Sequence, residues 1–289
     1  MYSYRIFVMT SSDYVFDETQ MPSLCVIDSI GEEHFFGDRE TPYELASITK
    51  IINAITICDV VASGFVNLSD QVNDPRFKYN DVYLYDLLAH TSGLSFTGKE
   101  KQVAPRSKRV YSNYAVELAA GFVGMKLQDE FGLISVQDLF NDGLGAILRE
   151  VKNAKIDFYG SPAYGAHANL NALSALAQQM RNPTFIDEEI HGQMTSTYLN
   201  NLKGTIPGWG NYKDCAFGIG YEIKSTKSPH WMGSLSSDKS FGHFGQTGVF
   251  IMHDPVNNIS IVALGDREFD KTLKKLWPAY VDNIFKSFL

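Results

Sequence analysis

Residues 47–64 constrain the fold more than any other stretch. Ser47 and Lys50 stand three residues apart and lead into Ile51-Ile52-Asn53-Ala54-Ile55-Thr56-Ile57-Cys58-Asp59-Val60-Val61-Ala62-Ser63, closed by Gly64. The run is apolar nearly all round, which marks a helix buried within a domain. Gly64 suits the left-handed turn that ends helices. A helix over about 47–62 puts Ser47 and Lys50 on one face, one turn apart. A serine at that start sits among unpaired backbone N–H groups, at the positive end of the helix dipole. A lysine one turn along can take the serine proton once neutral, or favour the alkoxide while charged. Taken alone, the two residues read more plainly as a capping serine and a surface lysine, because short motifs recur by chance. The rest of the chain decides between the readings.

The 289 residues suit one large domain or two moderate ones, and 44% hydrophobic with 13% aromatic residues supplies a real core. A net charge of −8 argues against non-specific nucleic-acid binding, which needs a basic footprint. No apolar run is long enough to cross a bilayer. The first ten residues lack the layout of a signal peptide. Cys25, Cys58 and Cys215 are odd in number and scattered, which implies a reducing compartment without a disulfide framework. The expected location is therefore cytoplasmic. The histidines form no metal-ligand cluster, and neither a metal nor another cofactor is expected.

Strands are expected at both ends of the chain and helices between. Residues 22–28 and 33–37 read as a hairpin, within a strand-rich segment 1–45. Helical patterns follow at 82–90, 115–128, 136–140, 144–151, 168–180 and 188–198, with Pro75 in a loop and a basic loop at 99–108. Strand patterns return at 217–223, 242–245, 248–253 and 260–264, the last two joined by a turn at 254–258. The chain closes on an amphipathic helix, 270–289, with Leu273, Leu276, Trp277, Tyr280, Val281, Ile284 and Phe285 on one side and Pro278 expected to bend or interrupt it. The simplest packing is one sheet domain from 1–45 and 205–289, a mostly helical domain over 46–204, and a site at their interface.

Four segments occur together in a recognisable order: Ser47-Ile48-Thr49-Lys50, Leu87-Leu88-Ala89-His90-Thr91-Ser92-Gly93-Leu94, Tyr111-Ser112-Asn113 and Gly242-His243-Phe244-Gly245-Gln246-Thr247-Gly248. In this the chain resembles the serine β-lactamase and penicillin-binding protein superfamily. The resemblance is to the class C branch, which also holds DD-peptidases, D-aminopeptidases and β-lactamase-like carboxylesterases. It spans about residues 22–267 and implies an α+β fold, an antiparallel sheet flanked by helices with an inserted helical domain. It also implies that Ser47 is the nucleophile, that Lys50 and Tyr111 share the proton traffic, and that Asn113 bonds both Lys50 and a substrate amide. The oxyanion hole would be the backbone N–H groups of Ser47 and Gln246, with Gly245 letting substrate approach the strand. A nearby lysine cation would make the Tyr111 phenol useful as a base. Read without the resemblance, Tyr111 is a half-buried aromatic, Asn113 a helix N-cap and His90 a hydrogen-bonded core histidine. Lys99, Lys101, Arg106, Lys108 and Arg109 read as a solvated loop or as the rim of a cleft.

Two departures shape the expected function. His243 stands where many β-lactamases have lysine, and Phe244 where a hydroxyl residue is common. As imidazolium His243 would attract a carboxylate, and a charged Lys50 would lower the pH at which it does so. The expectation is a serine hydrolase forming a Ser47 acyl-enzyme on a small-molecule ester, amide or β-lactam. Carboxylesterase or D-amino-acid peptidase activity is favoured over β-lactamase activity. The alternative is a penicillin-binding or sensor module that acylates and turns over poorly. An α/β-hydrolase is excluded by the lack of a Gly-x-Ser-x-Gly elbow.

Overall fold

The computed structural model describes residues 21–73, 78, 80–98, 100 and 102–289. The strands expected before residue 21, the loop at Pro75, and Lys99 and Lys101 lie outside these residues. The expected hairpin forms as Ser23–Ile27 and Glu33–Gly37. Asp28 shapes its turn, Oδ1 accepting from the N–H groups of Ile30 and Glu32. The hairpin is one edge of a six-stranded sheet in the order Glu33–Gly37, Ser23–Ile27, Ile259–Leu264, Val249–Asp254, Phe241–Gly245, Glu222–Ile223. Every neighbouring pair in it is antiparallel. Together with the helices this is the α+β class expected.

Alternate residues of a strand face opposite ways, and here both faces are covered. Cys25, Ile27, Ile251, Val262 and Leu264 enter one core with the helices Thr49–Ala62 and Leu170–Arg181. Val26, Phe250, Met252, Ile261 and Ala263 enter a second core with the helix Lys271–Phe288. Double coverage explains why these strands read as unbroken apolar runs rather than alternating ones. The helix Thr49–Ala62 is buried at every residue from Thr49 to Cys58, as its all-round apolar pattern requires.

Two expectations need correction. Residues 217–223 are not one strand: only Glu222–Ile223 joins the sheet, and the chain before it turns, Gly218 donating to Tyr221 O at 3.0 Å. The turn is forced by contact with the Lys50 helix, since Gly220 has φ +80° and a Cβ there would stand 2.2 Å from Ala54 Cβ. Of the bend or interruption expected at Pro278, the interruption does not occur, since one helix runs from Lys271 to Phe288 through it. Trp277 beside it packs on Phe250 and Phe269 at ring distances of 5.2 and 4.9 Å, and that packing outweighs the lost hydrogen bond. The mostly helical segment 46–204 also contributes strands to two small sheets. Tyr43–Glu44, Ala166–Ala168 and Ile156–Phe158 form one small sheet, and Arg109–Val110, Gly204–Ile206 and Gly210–Tyr212 another. Strands of two or three residues are too short to show a period of two.

The Gly220 contact gives a measurable expectation. Gly220→Ala should lower the unfolding free energy by about 2–5 kcal/mol, from left-handed backbone and from overpacking against Ala54. Gly64→Ala is the control: its φ is +78° but nothing lies within 4 Å of an added Cβ. It should cost about 1–2 kcal/mol. Urea unfolding of both variants tests the comparison, and equal losses would contradict the close packing of the 218–221 turn on the helix.

Candidate active site

Ser47 lies in a short 3-10 turn, Ala46–Ile48, that runs directly into the helix Thr49–Ala62. Its first N–H groups have no partner within the turn. Strand Ala166–Ala168 pins the junction from both sides: Leu45 N–H donates to Ala166 O at 2.9 Å, and Ala166 N–H donates to Thr49 Oγ1 at 3.0 Å. Ala46, immediately before Ser47, has φ +43°, a backbone conformation unfavourable for a residue with a side chain.

Lys50 is 2% exposed. Its Nζ donates to Ser47 Oγ at 3.1 Å and to Ala163 O at 2.8 Å. Burial brings its ammonium down to about 7, against the pull of the Glu117 carboxylate. Lys50 therefore stands near half-neutral at physiological pH.

Tyr111 and His243 face Ser47 from the far side. His243 Nδ1 lies 2.7 Å from its neighbour's carbonyl, Phe244 O, which can only accept, so Nδ1 carries the proton. In the neutral ring Nε2 then accepts, and Tyr111 Oη, 3.3 Å away, donates to it. Burial, with the Lys50 charge adding to it, holds the imidazole down at about 4. The ring is neutral at physiological pH and offers no cation to a carboxylate there. Tyr111 also departs from expectation. Lys50 Nζ sits over the phenol ring, 4.9 Å from its centroid, rather than beside the oxygen. Burial pushes the phenol well above its usual range, only eased by a hydrogen bond with Ser47. His90 supports this arrangement from behind: buried, its Nδ1 accepts Ser112 N–H at 3.2 Å, and its ring lies 4.5 Å from that of Tyr111.

Asn113 opens the helix Asn113–Phe131, but the N-cap is Ser112, whose Oγ accepts Ala115 N–H at 3.0 Å. Asn113 Oδ1 is buried without a partner, and no bond joins Asn113 to Lys50. Gly245 ends the strand Phe241–Gly245 against the turn before Ser47: a Cβ there would lie 2.5 Å from Leu45 O and 3.2 Å from Ala46 Cβ. Gln246 fixes the next segment through Phe269, whose N–H donates to Gln246 O at 2.7 Å while Gln246 Nε2 donates to Phe269 O at 3.1 Å. Ser47, Tyr111, Asn113, His243 and Gln246 all line one pocket of about 370 Å³, with Lys50 beneath its floor.

The sequence reading missed several contributors. The Ala163 carbonyl, the acceptor that holds Lys50, carries no sequence signal because any residue supplies one. Phe96 and Phe217 form pocket walls. Glu222 also lines the pocket, fully buried, taking hydrogen bonds from His230 Nε2 at 2.6 Å and Trp231 Nε1 at 2.9 Å, with Lys227 at 3.8 Å. Burial alone would raise its carboxyl, yet these partners hold it down at about 2. A lone acid in an apolar run was the available clue. Of the basic loop, Arg106 pairs with Asp81 and Asp86. Arg109 is buried on the carbonyls of Ala89, Tyr198 and Leu199. Among the described residues Asp28, Glu32 and His34 come within 4.8 Å of one another, a grouping not expected from sequence. His34 Nε2 is already bonded to Asp28 Oδ2 at 2.8 Å there.

Among the described residues no helix is long and apolar enough to cross a membrane. The Beta-lactamase family pattern matches residues 31–132, which carry both Ser47-Ile48-Thr49-Lys50 and Tyr111-Ser112-Asn113. A protein of Salmonella gallinarum assigned by name to the D-alanyl-D-alanine carboxypeptidases is 35% identical over 78 residues, which is 27% of this chain and 17% of that protein's length. Simvastatin synthase from Aspergillus terreus shares the fold, with a TM-score of 0.71 at 14% identity over 94% of this chain and 92% of its own. A β-lactamase from Mycobacterium bovis superimposes with a TM-score of 0.84 at 30% identity, covering 93% of this chain and 96% of that one. With that identity sustained over nearly both full lengths, the chain belongs to the serine β-lactamase and penicillin-binding protein superfamily.

Proposed function

We propose that the protein is a serine hydrolase that cleaves an ester or amide through an acyl-enzyme on Ser47. The observation that carries this reading is the contact of Lys50 Nζ with Ser47 Oγ at 3.1 Å, made by an amine that burial brings to about 7. A base poised near the working pH combines a useful neutral fraction with a useful proton affinity. Neutral Lys50 takes the Ser47 proton as Oγ attacks the carbonyl carbon. The N–H groups of Ser47 and Gln246 receive the developing oxyanion. Tyr111, between Ser47 and His243, passes its proton to the leaving group in the same step in which the proton held by Lys50 replaces it, so that no phenolate forms. Water then releases the acyl group by the reverse path. Asn113 Oδ1, buried and unpartnered, is suited to accept a substrate N–H.

Two features favour an ester or peptide over a β-lactam. His243 supplies no cation for the β-lactam carboxylate, and Phe244 belongs to the aromatic core, 5.1 Å from Phe269 and 5.8 Å from Trp277 between ring centres. A hydroxyl that would help bind such a carboxylate is absent at that position.

Ser47→Ala should lower turnover of a nitrophenyl ester on the order of 10⁴-fold or more, because a covalent route has no bypass. Mass spectrometry after a fluorophosphonate should show one adduct on the parent protein and none on the variant. Near-normal activity in a folded Ser47→Ala protein would remove the proposal. A penicillin adduct that persists for hours would instead favour the sensor reading.

The Lys50 amine also fixes a pH dependence. Only its neutral form accepts a proton, and that fraction grows as pH rises. The kcat/KM for a neutral ester should climb about tenfold per unit below pH 7 and level off above it. Lys50→Arg, which cannot lose its charge, should be inactive on both limbs. A flat profile between pH 5.5 and 8 would exclude Lys50 as the base.

A further inference from the structure

The Ser47 pocket opens past Phe96, Tyr111 and Pro207, which it shares with a second groove of about 670 Å³. The two differ in charge. The Ser47 pocket has Glu44 and Glu222 in its walls and only a neutral imidazole opposite Ser47. The second groove is lined by Lys108, Arg109 and Lys203 and by no carboxylate. Its cations are not a chance of long side chains on a mobile loop. Arg109 and Gly204 are register partners of a parallel strand pair, and Arg109 N–H donates to Lys203 O at 2.9 Å. Lys108 and Lys203 thus approach the pair side by side. Like charges so placed repel, and among the described residues neither meets a carboxylate. The nearby Asp214 does not line the groove; it accepts from Asn201 N–H and the Ser225 hydroxyl, and its charge acts on Arg109. In a chain of net charge −8, a carboxylate-free groove with paired lysines is an island of opposite field that concentrates anions.

We infer that this groove is an anion subsite, and that the substrate carries a carboxylate or phosphate on an arm running from the scissile carbonyl past Tyr111 to Lys108 and Lys203. The inference rests on the Ser47 acyl-enzyme reading and names the substrate class for it. It also relocates acid recognition. In the sequence the candidate cation was His243, beside the reacting atoms; in the fold the available cations lie further along the cleft. Lys108 precedes Tyr111 by three residues, so the chain path between them is at most about 10 Å. Neither lysine lines the Ser47 pocket, so the arm has to pass Phe96, Tyr111 and Pro207 before it meets them, and it is several bonds long rather than the short link of an α-carboxylate.

The test uses two ester series. In one, 4-nitrophenyl monoesters of linear dicarboxylic acids of six to ten carbons are compared with their methyl-capped, neutral counterparts. In the other, the carboxylate or its methyl ester sits on the phenol of an acetate ester. Phosphate-ended analogues of the better series separate the two anions. Readouts are the acid-to-neutral ratio of kcat/KM for the parent protein and for Lys108→Gln/Lys203→Gln, with fluorophosphonate titration to count intact sites. The parent should prefer the anionic ester in one series, and the double variant should lose about three- to tenfold of that ratio. Half-molar salt should lower the parent ratio in the same direction. Lys203→Glu should reverse the preference. A ratio equal in parent and double variant, or no preference for the anion in either series, would overturn the subsite while leaving neutral-ester turnover in place. Failure of every ester and of fluorophosphonate labelling on the parent protein would instead overturn the Ser47 acyl-enzyme reading itself.

Discussion

Lys50 Nζ donates to Ser47 Oγ and to Ala163 O from a position almost closed to water. Taking an ammonium out of water costs several kcal/mol unless partners replace its hydration. The fold meets part of that cost with two acceptors and with the more distant Glu117 carboxylate. The amine meets the rest by giving up its proton more readily. Other features of the centre follow from the same burial. Burial, and the Lys50 charge when present, hold the His243 imidazole neutral, and a neutral imidazole with its proton fixed on Nδ1 orients the Tyr111 hydroxyl. The Lys50 charge acts on His243, and Tyr111 is tied by hydrogen bonds to both Ser47 and His243, so the four side chains form one connected group.

Keeping Lys50 dry requires close packing around its helix. The 218–221 turn touches the helix at Ala54 through Gly220, and the end of the strand Phe241–Gly245 touches Leu45 and Ala46 through Gly245. Neither approach leaves room for a Cβ. These contacts join the sheet, which has cores on both faces, to the helix and turn that present Ser47. The short strand Ala166–Ala168 grips the same turn from the other side. Ala46 is held at φ +43° between these two restraints, an instance of backbone strain next to a proposed nucleophile.

Charge is distributed over the cleft rather than concentrated at the reacting atoms. Glu222 is buried in the wall of the Ser47 pocket with His230, Trp231 and Lys227 around it. Lys108 and Lys203, which meet no carboxylate among the described residues, lie in the adjoining groove. An environment of this kind leaves the reaction site near neutral and places anion attraction further out. That arrangement suits proton transfer by groups whose charged forms are disfavoured by burial.

The sequence by itself determined the buried helix behind Ser47, the hairpin at 22–37, the late strands and the α+β class. The helix, the hairpin and the strands at 242–245, 248–253 and 260–264 rest on local periodicity or on turn residues, while the class rests on the order of strands and helices together with the family resemblance. It also determined the chemical identities at Ser47, Lys50, Tyr111, Asn113 and His243, because four motifs occur in order. Only the tertiary structure decided their electrical state. Nothing in the order of residues states that Lys50 is dry, that His243 is neutral with Nε2 accepting, or that Ser112 rather than Asn113 caps the helix. The Ala163 acceptor, the small central sheets and the pairing of Lys108 with Lys203 were equally hidden. Desolvation and register depend on neighbours brought from more than a hundred residues away or on strands too short to show a period, so they exist only once the chain has folded.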